Sequence, residues 1–160
     1  MNINDKKAAM KRVLVFMFSV VVASVKLSAQ NYNWAMGVRL GDDMGGITAK
    51  VSISANEKIE GILAIPYWHG TSLTGLYQRY IPLGAAIQFY YGIGGHVGNW
   101  KDKNKHKYDF FLGADAIAGI EYVCASIPLS FSFDYKPTVN FTGHFGFNTA
   151  GGGISVRYLF

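Results

Sequence analysis

Cysteine, proline and charge are all scarce in this sequence. One cysteine, Cys124, and four prolines occur in 160 residues, and 16% of the residues are charged. A single thiol excludes an internal disulfide framework and leaves a cysteine-based zinc site without enough ligands. We therefore predict no metal site and no cofactor, and we interpret Cys124 as a small residue at a turn.

Positive charge is also scarce once its location is taken into account. The net charge of +5 comes mostly from residues 1–29, because the remaining residues hold ten basic and nine acidic side chains. Four of those ten lie in one short run, at Lys101, Lys103, Lys105 and Lys107. No basic face remains to follow a phosphate backbone, so we expect no nucleic-acid partner.

The apolar stretch at residues 13–23 is well short of the roughly 20 residues that a membrane-spanning helix needs. It follows the basic pair at 11–12 and precedes small residues at 28–29, which is the arrangement of a secretory signal peptide. We predict that residues 1–29 are a cleaved signal peptide and that residues 30–160 form one domain.

Helical periodicity is absent after Asn33, and apolar residues instead alternate with polar or small ones between Gly, Pro, Asn and Asp. This pattern predicts an all-β chain. Eight segments show it: Trp34–Leu40, Ile47–Ser54, Ile59–Trp68, Ser72–Ile81, Ala86–Val97, Phe110–Tyr122, Ile127–Tyr135 and Gly152–Phe160. An even number of strands joined by alternating short and long connections is typical of an up-and-down transmembrane β-barrel.

The two faces of the segments differ in chemistry. In the second segment one face is apolar and the other polar: Ile47, Ala49, Val51 and Ile53 against Thr48, Lys50, Ser52 and Ser54. With so few charges available to cover an exterior, we predict that the apolar faces point outward and the polar faces inward. An eight-stranded barrel is filled by its side chains, so opposite charges should neutralise one another inside. The predicted interior charge network consists of Arg39, Lys50, Glu60, Arg79, Asp115, Glu121, Asp134 and Arg157.

The final segment places Ile154, Val156, Tyr158 and Phe160 on one face. These residues resemble the C-terminal signal that the barrel-insertion machinery recognises in outer-membrane proteins. Three stretches extend the resemblance: Tyr90–His96, Ala118–Tyr122 followed by Ile127–Ser130, and Asp134–Pro137. Together they resemble the small outer membrane protein β-barrel domain families related in architecture to OmpA and OmpX.

This resemblance implies a porin-like barrel in the outer membrane of a Gram-negative bacterium, reached through the signal peptide. It implies outer-membrane lipids as partners and the insertion machinery during assembly, and it names no extracellular partner. The expected role is structural or surface-interacting rather than general diffusion through a pore, and we predict no catalytic residues.

Two alternatives remain open. A lipid A-modifying hydrolase of this architecture would use a histidine with a hydroxyl and an acid, and the candidates are His69, His96, His106 and His144. A secreted soluble barrel would instead hold an apolar ligand inside.

Overall fold

The computed structural model describes residues 32–41, 44–66, 70–101, 108–142, 146–149 and 151–160. The predicted signal peptide, residues 1–29, lies outside the described residues. Ten strands make up the secondary structure of the described part: β1 (Trp34–Gly41), β2 (Met44–Ser54), β3 (Glu57–Pro66), β4 (Gly70–Pro82), β5 (Ile87–Lys101), β6 (Tyr108–Val123), β7 (Leu129–Tyr135), β8 (Thr138–Asn140), β9 (Gly146–Asn148) and β10 (Gly152–Leu159). Among these residues no helix has the length and apolar character needed to cross a membrane.

Eight of the strands close into a barrel. Their order is β5-β4-β3-β2-β1-β10-β7-β6, and β5 also pairs with β6, so the sheet returns to its starting strand. All of these pairings are antiparallel. The predicted eight-stranded antiparallel barrel is therefore confirmed. We call the end that carries Asn33, Asn56, Gly84 and Ser126 the turn end, and the opposite end the loop end.

The segment from Lys136 to Gly151 lies between the last two predicted strands, Ile127–Tyr135 and Gly152–Phe160, and was therefore expected to be a loop, which was wrong in part. It contains β8, which continues β7 beyond Pro137 and pairs with β6, and β9, which pairs with β8. Pro137 has no N–H to give to the sheet, but its carbonyl accepts a hydrogen bond of 3.1 Å from the Ala116 N–H. The barrel wall thus extends past the proline at the loop end.

Large apolar side chains cover the outside of the barrel. Ile93, Phe133 and Ile154 expose 69%, 67% and 59% of their surface. Phe133 and Ile154 alternate along β7 and β10 with buried residues, as the two-residue period of a strand requires. The exterior is therefore apolar over most of the described strands.

A transverse row of small residues interrupts this apolar exterior. Direct cross-strand partners place five of them side by side over β2 to β6: Ala49, Gly61, Gly75, Gly95 and Ala114. A methyl group added at Gly61 or at Gly75 would meet no atom within 4 Å.

On the inner face, in contrast, a glycine is closely surrounded by backbone atoms. A Cβ built on Gly94 would lie 1.9 Å from the carbonyl oxygen of Gly75 on the neighbouring strand. Only a residue without a side chain permits this close approach of β4 and β5. Glycine at this position allows the small barrel to curve.

One part of the interior is apolar. Ile62, Leu76 and Ile117 are almost fully buried and cluster with the rings of Tyr80 and Tyr90. Those two rings stack with their centroids 5.2 Å apart. A second buried apolar cluster, formed by Tyr32, Ala35, Val123 and Leu159, lies at the turn end. Outside these two clusters the interior of the described barrel is strongly polar and forms the candidate site.

Candidate functional site

Seven of the eight residues predicted for the interior charge network lie inside the barrel. All seven are at most 6% exposed: Arg39, Lys50, Glu60, Asp115, Glu121, Asp134 and Arg157. They alternate with outward-facing apolar residues, so the same two-residue period that makes the exterior apolar places the charges inside. They form a central group and two smaller groups.

The central group contains Lys50, Glu60, Glu121 and Arg157. The Arg157 guanidinium donates a 2.5 Å hydrogen bond to Glu60 Oε1, and its Nη1 lies 3.7 Å from Glu121. Lys50 Nζ lies 3.7 Å from Glu60 and 3.8 Å from Glu121. Each carboxylate therefore lies within 4 Å of both Lys50 and Arg157, which compensates the cost of burying these four charges.

Neutral groups complete this central group. Glu60 also accepts hydrogen bonds from the Thr48 hydroxyl and, at 2.5 Å, from Gln78 Nε2. Arg157 Nη1 donates to Ser132 Oγ at 2.8 Å. Ser130 Oγ donates to Glu121 at 2.9 Å. The carboxylates thus have partners on several strands around the barrel.

A second group lies nearer the loop end. Both terminal nitrogens of Arg39 donate to Asp134, at 2.6 and 2.5 Å. The Tyr90 hydroxyl donates to the same carboxylate at 2.7 Å. This two-pronged geometry is the strong form of an arginine–carboxylate pair, and it ties β1, β5 and β7 together.

A third group occupies the loop end. His96 Nδ1 lies 2.8 Å from Asp115, and its Nε2 lies 2.7 Å from Asn140 Oδ1. Lys136 donates to the other oxygen of Asp115 at 2.8 Å. The histidine therefore joins β5 to β6 and to the short strand β8.

Arg79 was predicted to lie inside, and this was wrong. The side chain is exposed on the outer face of β4, opposite Glu57 and Tyr91, while its neighbours Gln78 and Tyr80 are buried. The inner face of β4 carries apolar Leu76, so the polarity of this strand was a poor guide to its orientation. Arg79 lies close to the turn end, where membrane barrels tolerate charge on the outer face.

Lys58 is buried inside the turn end and was missed. Its ammonium bonds the Tyr32 hydroxyl, lies 3.8 Å from Glu121, and sits 4.1 and 4.0 Å from the ring centres of Tyr32 and Tyr80. Its position two residues before Glu60 was the available signal, because residues i and i+2 of a strand share a face. The sequence prediction began this strand at Ile59 and so left Lys58 in the turn.

A cavity of about 630 Å³ at the turn end is lined in part by this lysine. Its polar lining comes from Tyr32, Asn33, Ser52, Ser54, Lys58 and Gln88. We call this cavity the vestibule.

Catalytic chemistry finds little support among the described residues. Both ring nitrogens of His96 are engaged by Asp115 and Asn140, and neither partner is the hydroxyl that the hydrolase would need. In the described part of the chain no three His, Cys, Asp or Glu side chains gather as metal ligands would. His69, His106 and His144 lie outside the described residues.

Three residues of the predicted C-terminal signal, Ile154, Val156 and Tyr158, lie on the outer face of β10, and the fourth, Phe160, directly follows the strand. Ile154, Val156 and Phe160 are exposed, Tyr158 is half-buried, and the rings of Tyr158 and Phe160 meet edge to face at 4.9 Å. The Phe160 N–H donates to the Trp34 carbonyl at 2.8 Å, so the strand is fastened to β1. They therefore share the apolar exterior of the barrel.

Comparison with solved structures identifies the same architecture elsewhere. The crystal structure of the N-terminal β-barrel domain of Pseudomonas aeruginosa OprF matches with a TM-score of 0.63, covering 82% of this chain and 100% of that domain at 13% sequence identity. The chain has an OmpA-like barrel fold. No protein-family model matches the sequence, and no curated protein matches it significantly. The OmpA-like barrel is thus shared with OprF in fold alone.

Proposed function

We propose that the chain is an integral outer-membrane protein whose barrel contacts lipid on the outside and is filled by ion-paired side chains inside. Its role is structural or surface-interacting; it is neither a general diffusion pore nor an enzyme. The observation that carries the proposal is the inverted arrangement of polarity around the closed barrel.

The outside supports contact with hydrocarbon. A water-soluble barrel would present charged side chains outward, whereas Ile93, Phe133 and Ile154 are among the most exposed apolar residues here. An apolar surface of this extent is costly in water and favourable in lipid. A closed barrel also leaves no sheet edge unpaired, which a membrane interior requires.

The inside supports a filled lumen. Arg157, Lys50 and Glu60 are at most 1% exposed and meet in the central group, where direct hydrogen bonds link β10 to β3 and β7. Eight strands leave an interior only wide enough for side chains. Ions would have to displace these bonds to pass.

Assembly supplies a second kind of partner. We infer that the insertion machinery recognises the outward-facing residues Ile154, Val156, Tyr158 and Phe160. They are apolar, lie on one face and belong to the strand that pairs with β1 to close the barrel.

The proposal is tested by the behaviour of the protein in membranes. We expect the protein to stay with the membrane fraction in alkali and to need detergent for extraction. On a gel the unheated protein should run ahead of the boiled protein, because a folded barrel stays compact in cold detergent. Release into alkali without detergent would instead support a soluble barrel with an apolar ligand.

Two further measurements separate the finer claims. In planar bilayers the purified protein should give no sustained open channel, and a steady large conductance would contradict the filled lumen. Incubation with lipid A should release no fatty acid, and release that depends on His96 would support the hydrolase instead.

A further inference from the structure

The vestibule at the turn end has the features of a small binding site. Its volume of about 630 Å³ is within the range of small-molecule sites. Lys58 and Tyr32 line it and are both at most 6% exposed. A ligand could enter from the turn end without crossing the filled lumen.

The charges at the floor of the vestibule do not balance. Three cations, Lys50, Lys58 and Arg157, surround two carboxylates, Glu60 and Glu121. Lys58 is the one of these three that lines the vestibule. The excess positive charge of this group is therefore nearest to the cavity, where it favours an anion.

Lys58 is also held in place. Its ammonium lies against the faces of two tyrosine rings and bonds the Tyr32 hydroxyl. An ammonium has three hydrogen-bond donors. Because the Lys58 side chain is already ordered, little entropy is lost in ordering it when a ligand binds. This arrangement suits one carboxylate oxygen at the floor of the cavity.

Gln88 adds a second polar group to the lining. Its Oε1 is buried and has no hydrogen-bond partner among the described residues. A buried acceptor without a partner costs free energy, so a donor from a ligand would be favourable there. A ligand that carries an N–H beside its carboxylate would satisfy both Gln88 and Lys58.

We propose that the vestibule binds a small monocarboxylate with an adjacent amide N–H, which is the chemistry of the carboxyl end of a peptide. Lys58 Nζ binds the carboxylate, and Gln88 Oε1 accepts the N–H. The site does not depend on whether the lumen is filled. It rests on the proposed function only for the compartment that the turn end faces.

N-acetylglycine is the probe, titrated into the detergent-folded protein while backbone amide resonances are followed. We expect saturable shifts around the vestibule with N-acetylglycine, weaker binding of acetate, which lacks the N–H, and no binding of the uncharged N-acetylglycinamide. No saturation with N-acetylglycine, or equal binding of N-acetylglycinamide, would overturn the proposal.

Variants assign the two contacts. Lys58→Met should weaken binding by at least about tenfold, because a charge-assisted hydrogen bond is lost. Arg79→Met removes an exposed cation near the same end of the barrel and should leave the affinity unchanged. Unchanged binding in a folded Lys58→Met protein would refute the role of this lysine.

Gln88→Leu keeps the floor of the cavity intact and provides a test even where Lys58→Met does not fold. It should lower the affinity for N-acetylglycine to that for acetate and leave the affinity for acetate unchanged. An equal loss for both probes, or for neither, would contradict the assignment of the N–H to Gln88.

Discussion

Arg157 on β10 and Glu60 on β3 form a 2.5 Å hydrogen bond between residues 97 positions apart in sequence. The two strands are not neighbours, because β1 and β2 lie between them. The bond therefore crosses the lumen, and it can form only after the sheet has curved. It connects the last barrel strand to one of the first.

The balance of charge around this pair predicts an asymmetry between two substitutions. Glu60→Gln leaves three cations around Glu121 alone, whereas Arg157→Met leaves two cations and two carboxylates. Breaking a buried ion pair costs about 3–5 kcal/mol, and we expect Glu60→Gln to reach this range and Arg157→Met to fall below it. Urea unfolding in detergent or lipid vesicles measures both. The double variant should lose less stability than the sum of the two, and an additive result would show that the pair is not coupled.

Two glycines on neighbouring strands should respond oppositely to the same added methyl group. Gly75→Ala adds it in open space on the outer face, whereas Gly94→Ala directs it at the Gly75 carbonyl oxygen 1.9 Å away. We expect Gly75→Ala to raise the free energy of unfolding by about 0.4–1 kcal/mol by restricting the unfolded chain. Gly94→Ala should lower the yield of folded barrel. Equal yields and stabilities for the two variants would contradict the close approach of β4 and β5.

Phe133 and Phe147 allow a matched test of lipid contact, since both are 67% exposed. Phe133 lies near the middle of the crossing formed by β7 and β8, whereas Phe147 lies on β9 at the loop end. An arginine costs about 2–4 kcal/mol at the midplane of a membrane barrel and about 0–1 kcal/mol near its interfaces. Phe133→Arg should therefore destabilise the protein in lipid vesicles far more than Phe147→Arg. Similar losses at the two positions would count against a bilayer midplane near Phe133.

Phe160 should matter more for assembly in cells than for folding in detergent. We expect Phe160→Ala to lower the amount of barrel inserted into the membrane, while the purified variant still refolds in detergent. Phe131→Ala removes a similarly exposed phenylalanine from β7 and serves as the control. If both variants insert equally well, the proposed recognition of β10 is wrong.

Strands with clean alternation were predictable from the sequence, and mixed ones were not. Each strand reports its orientation through its own residues, and in β7 the serines and Asp134 face inward while Phe131 and Phe133 face outward. In β4 the buried face includes Leu76 and the exposed face includes Arg79, so local polarity predicted the wrong side for the arginine. In such a case the pairing with the neighbouring strands decides which side chains face inward, since the register of the sheet allows only one orientation of the strand.

Partners across the lumen could not be predicted from the pattern. The alternation predicted that Arg39 and Asp134 share the interior, but their pairing depends on how far the strands are staggered when the barrel closes. The same limit applies to His96 and Asn140, because β8 was expected to be part of a loop. Sequence patterns within a strand carry no information about the distance between Arg39 and Asp134 or between His96 and Asn140.

The row of small residues across β2 to β6 provides positions on the outer surface of the barrel where a label can be attached. The single native thiol, Cys124, lies at the turn end, away from Gly61 and Gly75. A fluorophore or spin label attached through a cysteine at either glycine would project outward without touching the ion pairs within. Quenchers placed at known depths in a bilayer could then locate the barrel along the membrane normal.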